Sequence, residues 1–233
     1  MSNFTFLTKE QIFGNNRLDI IKKYGTKCAI TDFSVLLGGY YSNFYHTGWG
    51  TKRNITGWWW TKTYDRYDNV RAVDVSGIND WFYVNVRDGG ARPAITYSSI
   101  QSKCTNAVII SKKIKEIEYG EYPQTIVDED YSWELEKAYN NRNLRTTGKR
   151  YTTDSVDLDR QDIGFSARTH IEYEYNGSKY IRFVSDSNCI GKVLSDNREI
   201  QLETPYWVRV EPITWLVDEK TNIALSKKIL FSG

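Results

Sequence analysis

Very little in this chain is suited to chemistry. Histidine occurs twice, at His46 and His170, and neither has a second histidine near it in sequence, so an imidazole-based metal site lacks a ligand pair. The cysteines Cys28, Cys104 and Cys189 are odd in number, far apart and without a CxxC spacing, which argues against a metal knuckle and a disulfide scaffold. A Cys–His nucleophile would need one of them to meet His46 or His170 in space, and the sequence carries no sign of that. GxSxG, HExxH, a Walker loop and GxGxxG are all missing, and no cofactor is expected. Asp65 and Asp68 are the carboxylate pair nearest to a calcium site, but they read as solvated turn residues.

Charge of one sign is lacking as well. The formal net charge is +2, which is no general nucleic-acid footprint. Arg142, Arg145, Lys149 and Arg150 are followed by Asp154, Asp157 and Asp159, and such mixed sign does not track a phosphate backbone. Residues 1–103 hold 13 Lys and Arg against 8 Asp and Glu, and the remainder is mildly acidic, so the two parts can attract each other. No apolar run follows Met1-Ser2-Asn3, and no stretch is long enough to span a bilayer. A soluble, cytoplasmic chain without a membrane partner is the expectation.

Aromatic side chains are what the sequence has in excess, with 17 tyrosines and 8 tryptophans. Surface Tyr and Trp make interface hot spots, whereas a β-rich fold uses aromatics in any case, and both readings stand. The densest stretch is Gly57 to Ile95, beginning Gly57-Trp58-Trp59-Trp60. Side chains alternate across a strand, so Trp58 and Trp60 face one way and Trp59 the other. Such a strand is either central in a packed sheet or half-buried with an exposed aromatic platform. Val70–Val75 and Trp81–Val86 read as further strands, separated by Ser76-Gly77 and closed by Asp88-Gly89-Gly90, where glycine tolerates positive φ. Pro93 has no amide hydrogen, which puts Arg92-Pro93 at a strand start or an edge.

Local signals mark other elements. Phe4–Leu7 reads as a short strand. Thr8 and Gln11 form a capping box opening a helix that breaks at Gly14-Asn15-Asn16, resumes, and stops at Gly25. Thr31 or Asp32 caps a helix over Phe33–Leu37 ended by Gly38-Gly39. Tyr40 to Gly57 is aromatic but aperiodic and reads as a loop. Ala107–Ile110 is a short strand within a connection, with Lys112-Lys113 on a solvated face, and Tyr131–Asn140 is a helix. Asn176-Gly177 between alternating flanks predicts a type I′ hairpin. Tyr206–Val217 is the longest strand, turning through Asp218–Asn222 into Ile223–Phe231.

These stretches carry a resemblance. Gly57–Thr63 and Gly89–Ile95, preceded by Phe6–Glu10 and Ala29–Phe33, resemble the closing part of a bacterial family of uncharacterised domains. That family has a Trp-Trp-Leu-Arg-Ser-Pro-like run and a Val-Arg-Pro-Ala ending, and is similar to the formylglycine-generating-enzyme and C-type-lectin-like superfamily. Thr61-Lys62-Thr63 stands where its Arg-Ser-Pro is usual. Glu118–Gln124 resembles the family's opening Phe-Gly-X-Tyr-Pro-Gln, and Tyr206–Val217 its Trp-Val-X-Val-Glu-Pro-Ile-X-Trp-Leu-Val hairpin. The opening and closing parts occur in reversed order. The resemblance implies an α+β fold of mostly antiparallel short strands with a few short helices. It would be C-type-lectin-like, either as a circular permutant or as two half-modules, 1–103 and 104–233, packed as one body. Shared sheet pairing between Tyr206–Leu216 and Trp58–Ile95 is the expected mark. The active-site cysteine pair of formylglycine-generating enzymes has no match here.

The functional expectation is a non-enzymatic recognition domain that binds a protein partner through aromatic loops. Its candidate residues are Tyr40, Tyr41, Tyr45, Trp49, Trp59, Tyr64 and Tyr67. Two alternatives remain open: carbohydrate or small-ligand binding on a tryptophan platform, and a phage- or mobile-element-borne inhibitor that occludes a bacterial defence complex.

Overall fold

The computed structural model describes residues 4–42, 56–64, 69–83, 86, 88–153 and 168–232. In chain order the elements are α1 (Lys9–Phe13), α2 (Asp19–Tyr24), β1 (Cys28–Ile30), α3 (Asp32–Leu36), β2 (Tyr41–Ser42), β3 (Thr56–Gly57) and β4 (Trp59–Tyr64). Next come β5 (Asn69–Val73), β6 (Asn79–Tyr83), β7 (Gly90–Ala91), β8 (Ala94–Thr96), a 3-10 turn at Tyr97–Ser99, β9 (Thr105–Ser111) and β10 (Ile114–Ile126). The remainder is α4 (Glu129–Asn140), β11 (Arg145–Thr153), β12 (Arg168–Tyr175), β13 (Ser178–Val184), β14 (Pro205–Asp218), β15 (Ile223–Ser226), β16 (Lys228–Ile229) and β17 (Phe231–Ser232). The fold is α+β with mostly antiparallel pairing and short helices.

The local signals act as expected. Thr8 accepts from the Gln11 amide while the Gln11 side chain accepts from the Thr8 amide, a complete capping box. Gly25 ends α2 at φ 77°, and the Thr31 hydroxyl accepts from the Ser34 amide to open α3. Asn176 and Gly177 take φ 49° and 74° between β12 and β13, the two left-handed positions of a type I′ turn. Phe4–Leu7 is not a strand; it makes a single bridge, Thr5 to Ala94. Arg145–Thr153 is a strand in a stretch whose polarity gave no periodic signal.

β14 organises the largest sheet, whose main order is β11-β12-β13-β14-β10-β9. One edge of β14 pairs with β10 along its length; the other pairs with β13 through Pro205–Arg209 and with β15 through Trp215–Asp218. α3 covers one face, where Phe33, Val35 and Leu36 join Ile181, Phe183, Val208 and Val210. α4 covers the other, where Leu135 meets Val127, Tyr180 and Trp207. Alternation along β13 and β14 supplies both faces, as a sheet buried on two sides requires.

Two smaller sheets flank it, ordered β16-β1-β3-β2 and β17-β7-β4-β5-β6. Ile223–Ser232 runs through all three sheets: β15 joins β14 to β8, β16 lies parallel to β1, and β17 pairs with β7. The stretch from Ile223 therefore divides into three short strands instead of the single arm its apolar run suggested. The two halves of the chain share a sheet through β15, although β14 does not pair directly with Trp58–Ile95. Glu118–Gln124 lies inside β10.

Candidate functional site

The tryptophan run alternates as its spacing dictates. Trp59 is wholly buried among Ile12, Val73, Leu225 and Ile229, so it cannot present a ring to a partner and is withdrawn as a binding residue. Its indole nitrogen donates to the Thr26 carbonyl at 3.2 Å. On the other face Trp58 stacks on Phe82 with centroids 4.3 Å apart and meets Trp60 edge-on at 4.5 Å. Gly89 lies against this cluster: neither Gly89 nor Gly90 has positive φ, and a side chain at Gly89 would collide with both indoles. The glycines that the sequence marked as a turn are required there for close approach.

The remaining aromatic candidates divide. Tyr40 is exposed. Tyr41 is half-buried, with its hydroxyl accepting from the Val193 amide and its ionisation pushed up by burial, so it acts in holding the Val193 strand bridge. Tyr64 is 74% exposed at the end of β4. Tyr45, Trp49, Tyr67 and His46 lie outside the described residues, as do Asp65 and Asp68.

Two exposed rings that were not among the sequence candidates stand on β6: Trp81 at 47% and Tyr83 at 57% exposure. Among the described residues β6 is the outermost strand of its sheet, and it pairs with β5 through five consecutive residues without a bulge. Its position is fixed by a three-residue turn. Gly77 at φ 86° donates to the Asp74 carbonyl, the Asp74 amide donates to Ile78, and the Asp74 carboxylate accepts from Ser76 and Ile78. Counting on from the bonded pair Asp74 and Ile78, the backbone groups of Asn79, Trp81 and Tyr83 turn to the open side. The Trp81 amide donates there to its neighbour's Asp80 carboxylate at 2.8 Å. Tyr64 is in register with Val70 and Phe82, so it stands on the face opposite to Trp81 and Tyr83. Trp81 and Tyr83 thus stand on one face of the outer strand, and Tyr64, two strands inward at the end of β4, on the other.

A second feature lies where β10 and β14 part. The β10 ladder shifts between Glu118 and Glu121, where Gly120 has φ 72°, and again between Pro123 and Thr125, leaving Gln124 as the extra residue. Pro123 and Pro212 have no amide to restore the pairing. Gln124, 5% exposed, instead donates its side-chain amide hydrogens to the carbonyls of Glu211 (3.1 Å) and Pro212 (2.9 Å). Bulges of this kind bend strands. A cleft of about 290 Å³ opens here, bounded by Gln124, Thr125, Glu211, Thr214 and Leu230.

Two buried carboxylates, Asp32 on α3 and Glu172 on β12, are engaged by protein donors. Asp32 accepts from the amides of Ile126 and Ser195 and from the Ser195 hydroxyl, and burial raises its affinity for a proton. Glu172 accepts from Tyr151 at 2.6 Å and Thr147 at 2.7 Å. Among the described residues no group of three or more His, Cys, Asp and Glu side chains is placed to hold a metal, and no helix is long and apolar enough to cross a membrane. Comparison of the chain with protein-family models, with curated proteins and with solved structures returns no match.

Proposed function

We propose that this chain is a non-enzymatic recognition module that binds a protein partner along the open β6 edge of its five-stranded sheet. The observation that carries the reading is the exposure of Trp81 and Tyr83 on a regular, unbulged strand that is outermost among the described residues. Large rings at the centre of a contact supply much of its energy. The carbohydrate reading needs a flat stacking platform. Trp81 and Tyr83 instead stand edge-on at 89°, which offers no such plane. The scaffold itself we read as a circular permutant related to C-type-lectin-like domains. Support comes from the motif order and from the sheet that β15 builds between β14 and β8.

The test is site-specific photo-crosslinking from position 81 in a bacterial lysate, with Trp81→Ala and Tyr83→Ala as competitors in affinity capture. A discrete crosslinked protein, lost from capture by both variants while their melting is unchanged, is expected. Crosslinking only to abundant bystanders, or capture indifferent to both substitutions, would overturn the assignment.

A further inference from the structure

We propose that two copies of this chain associate through β9, antiparallel about a two-fold axis, at an interface separate from β6 and independent of the partner bound there. Among the described residues β9 is the outermost strand at one end of the eight-stranded sheet, with β10 as its neighbour. Its seven residues, Thr105 to Ser111, contain no charge and no proline, and the apolar run Ala107–Ile110 fills the centre. Ile110 packs against the cluster that holds Trp59, and the turn at Lys112-Lys113 brings Ser111 into register with Ile114, so the strand is held in place from one side. Val108 and Ile109 pair in succession with Glu116 and Lys115 and therefore point to opposite faces, and they are 56% and 81% exposed. Both faces of β9 thus show aliphatic side chains to solvent.

The opposite end of the same sheet is built differently. β11, outermost there among the described residues, carries Arg145, Lys149 and Arg150 within nine residues, and charge of that kind keeps an edge from pairing with another chain. The centre of β9 has no such guard. A second copy suits it because the strand is its own complement. Polar at Thr105-Asn106, apolar through Ala107–Ile110 and polar again at Ser111, it lays apolar residues on apolar ones when turned through half a revolution. Charge sets the direction. A parallel copy would bring the two Lys112-Lys113 turns together, whereas an antiparallel one sets each turn beside the Thr105 and Glu118 end of the other. Lys112 and Lys113 are exposed and make no ion pair among the described residues. Two bulges interrupt the β9–β10 ladder, one in the stretch holding Asn106 at φ 50°, and they shorten any ladder on the open side. Side chains therefore carry the contact, and its small size makes a reversible dimer the expected form. A two-fold pair uses β9 of both copies and closes, so it does not grow into a fibre.

Sedimentation velocity of the full chain over a range of concentrations tests this, with cysteine crosslinking to locate the contact. A monomer–dimer equilibrium is expected, its dissociation constant raised about tenfold or more by Ile109→Lys, in line with the burial of one aliphatic side chain from each copy. Melting of Ile109→Lys at low concentration should match that of the parent, since position 109 lies in solvent in the single chain. Cys28 and Cys189 are buried, so a Cys104→Ser background leaves an added thiol as the reactive one. In that background Val108→Cys, near the axis, should join to its own copy through a short bis-maleimide, and Ile78→Cys, exposed in the turn before β6, should not. A monomer at every concentration, a dimer indifferent to Ile109→Lys, or crosslinking from position 78 equal to that from position 108 would overturn the proposal. A monomer from which Ile109→Lys strips a captured bacterial protein would assign β9 to a different chain and overturn self-association equally. Because Ile109 and Val108 lie outside the five-stranded sheet, loss of self-association and loss of capture through Trp81 and Tyr83 are separable results.

Discussion

The guanidinium of Arg92 lies 5.0 Å from the ring centroid of Trp59, and both side chains are buried. Arg92 donates through Nε to the Ser226 carbonyl at 3.0 Å, its Nη1 is buried without a hydrogen-bond partner, and burial lowers its hold on the proton. A cation placed like this draws its compensation from the indole face and one carbonyl. Arg92→Met removes the desolvated charge and keeps the stem, and the expected outcome in urea melts is a midpoint unchanged or raised. Trp59→Ala, by contrast, opens a cavity and uncovers the charge, with an expected loss of about 3–5 kcal/mol.

Gly89→Ala drives a methyl group into the indoles of Trp58 and Trp60. Overpacking of that kind costs about 1–3 kcal/mol, and near-ultraviolet circular dichroism should change as the Trp58–Phe82 stack parts. Gly148→Ala is the control. Nothing lies within 4 Å of its added carbon, and only its φ of 83° resists substitution, so its spectrum should stay intact.

Glu136 binds Arg182 through both oxygens, at 2.7 and 2.9 Å, and accepts from the Trp207 indole at 3.0 Å. The Arg182 bond holds its carboxyl below the ordinary glutamate value of 4.5. The unfolded chain therefore binds more protons than the folded one in the window just below that value, and this contribution to stability is present above it and lost as pH falls through the depressed one. Glu136→Gln should lower stability at neutral pH by about 1 kcal/mol and flatten the acid limb of the melting-temperature profile, read by calorimetry between pH 3 and 7.

Ile229 fills a slot that two glycines leave open, since a side chain at either Gly57 or Gly90 would press on it. It is fully buried and belongs to β16 beside β1. Ile229→Ala should cost about 2–5 kcal/mol in chemical denaturation, as a core cavity.

Elements whose cause is local were legible in the sequence. Thr8 with Gln11, Thr31, and Asn176-Gly177 each act on residues a few positions away, and each does so in the structure. What escaped depends on partners distant along the chain. Whether Trp59 faces the interior is decided by Ile12, Leu225 and Ile229, and alternation alone only separates it from Trp58 and Trp60. Trp81 and Tyr83 sit in a run already legible as a strand, but that the strand is outermost follows from sheet order. Pro123 marks a break in the ladder, but that Gln124 is the residue left over is set by the register against Val210 and Arg209 on the distant partner strand.

The segment Ile223–Ser232 gives each of the three sheets a strand. Without it β8 would keep only the bridge from Thr5, and the sheets of β1 and β7 would each stand one strand short. A cut in the chain ahead of Ile223 would therefore expose an edge in all three sheets at once, making this short segment the common fastener of otherwise separate layers.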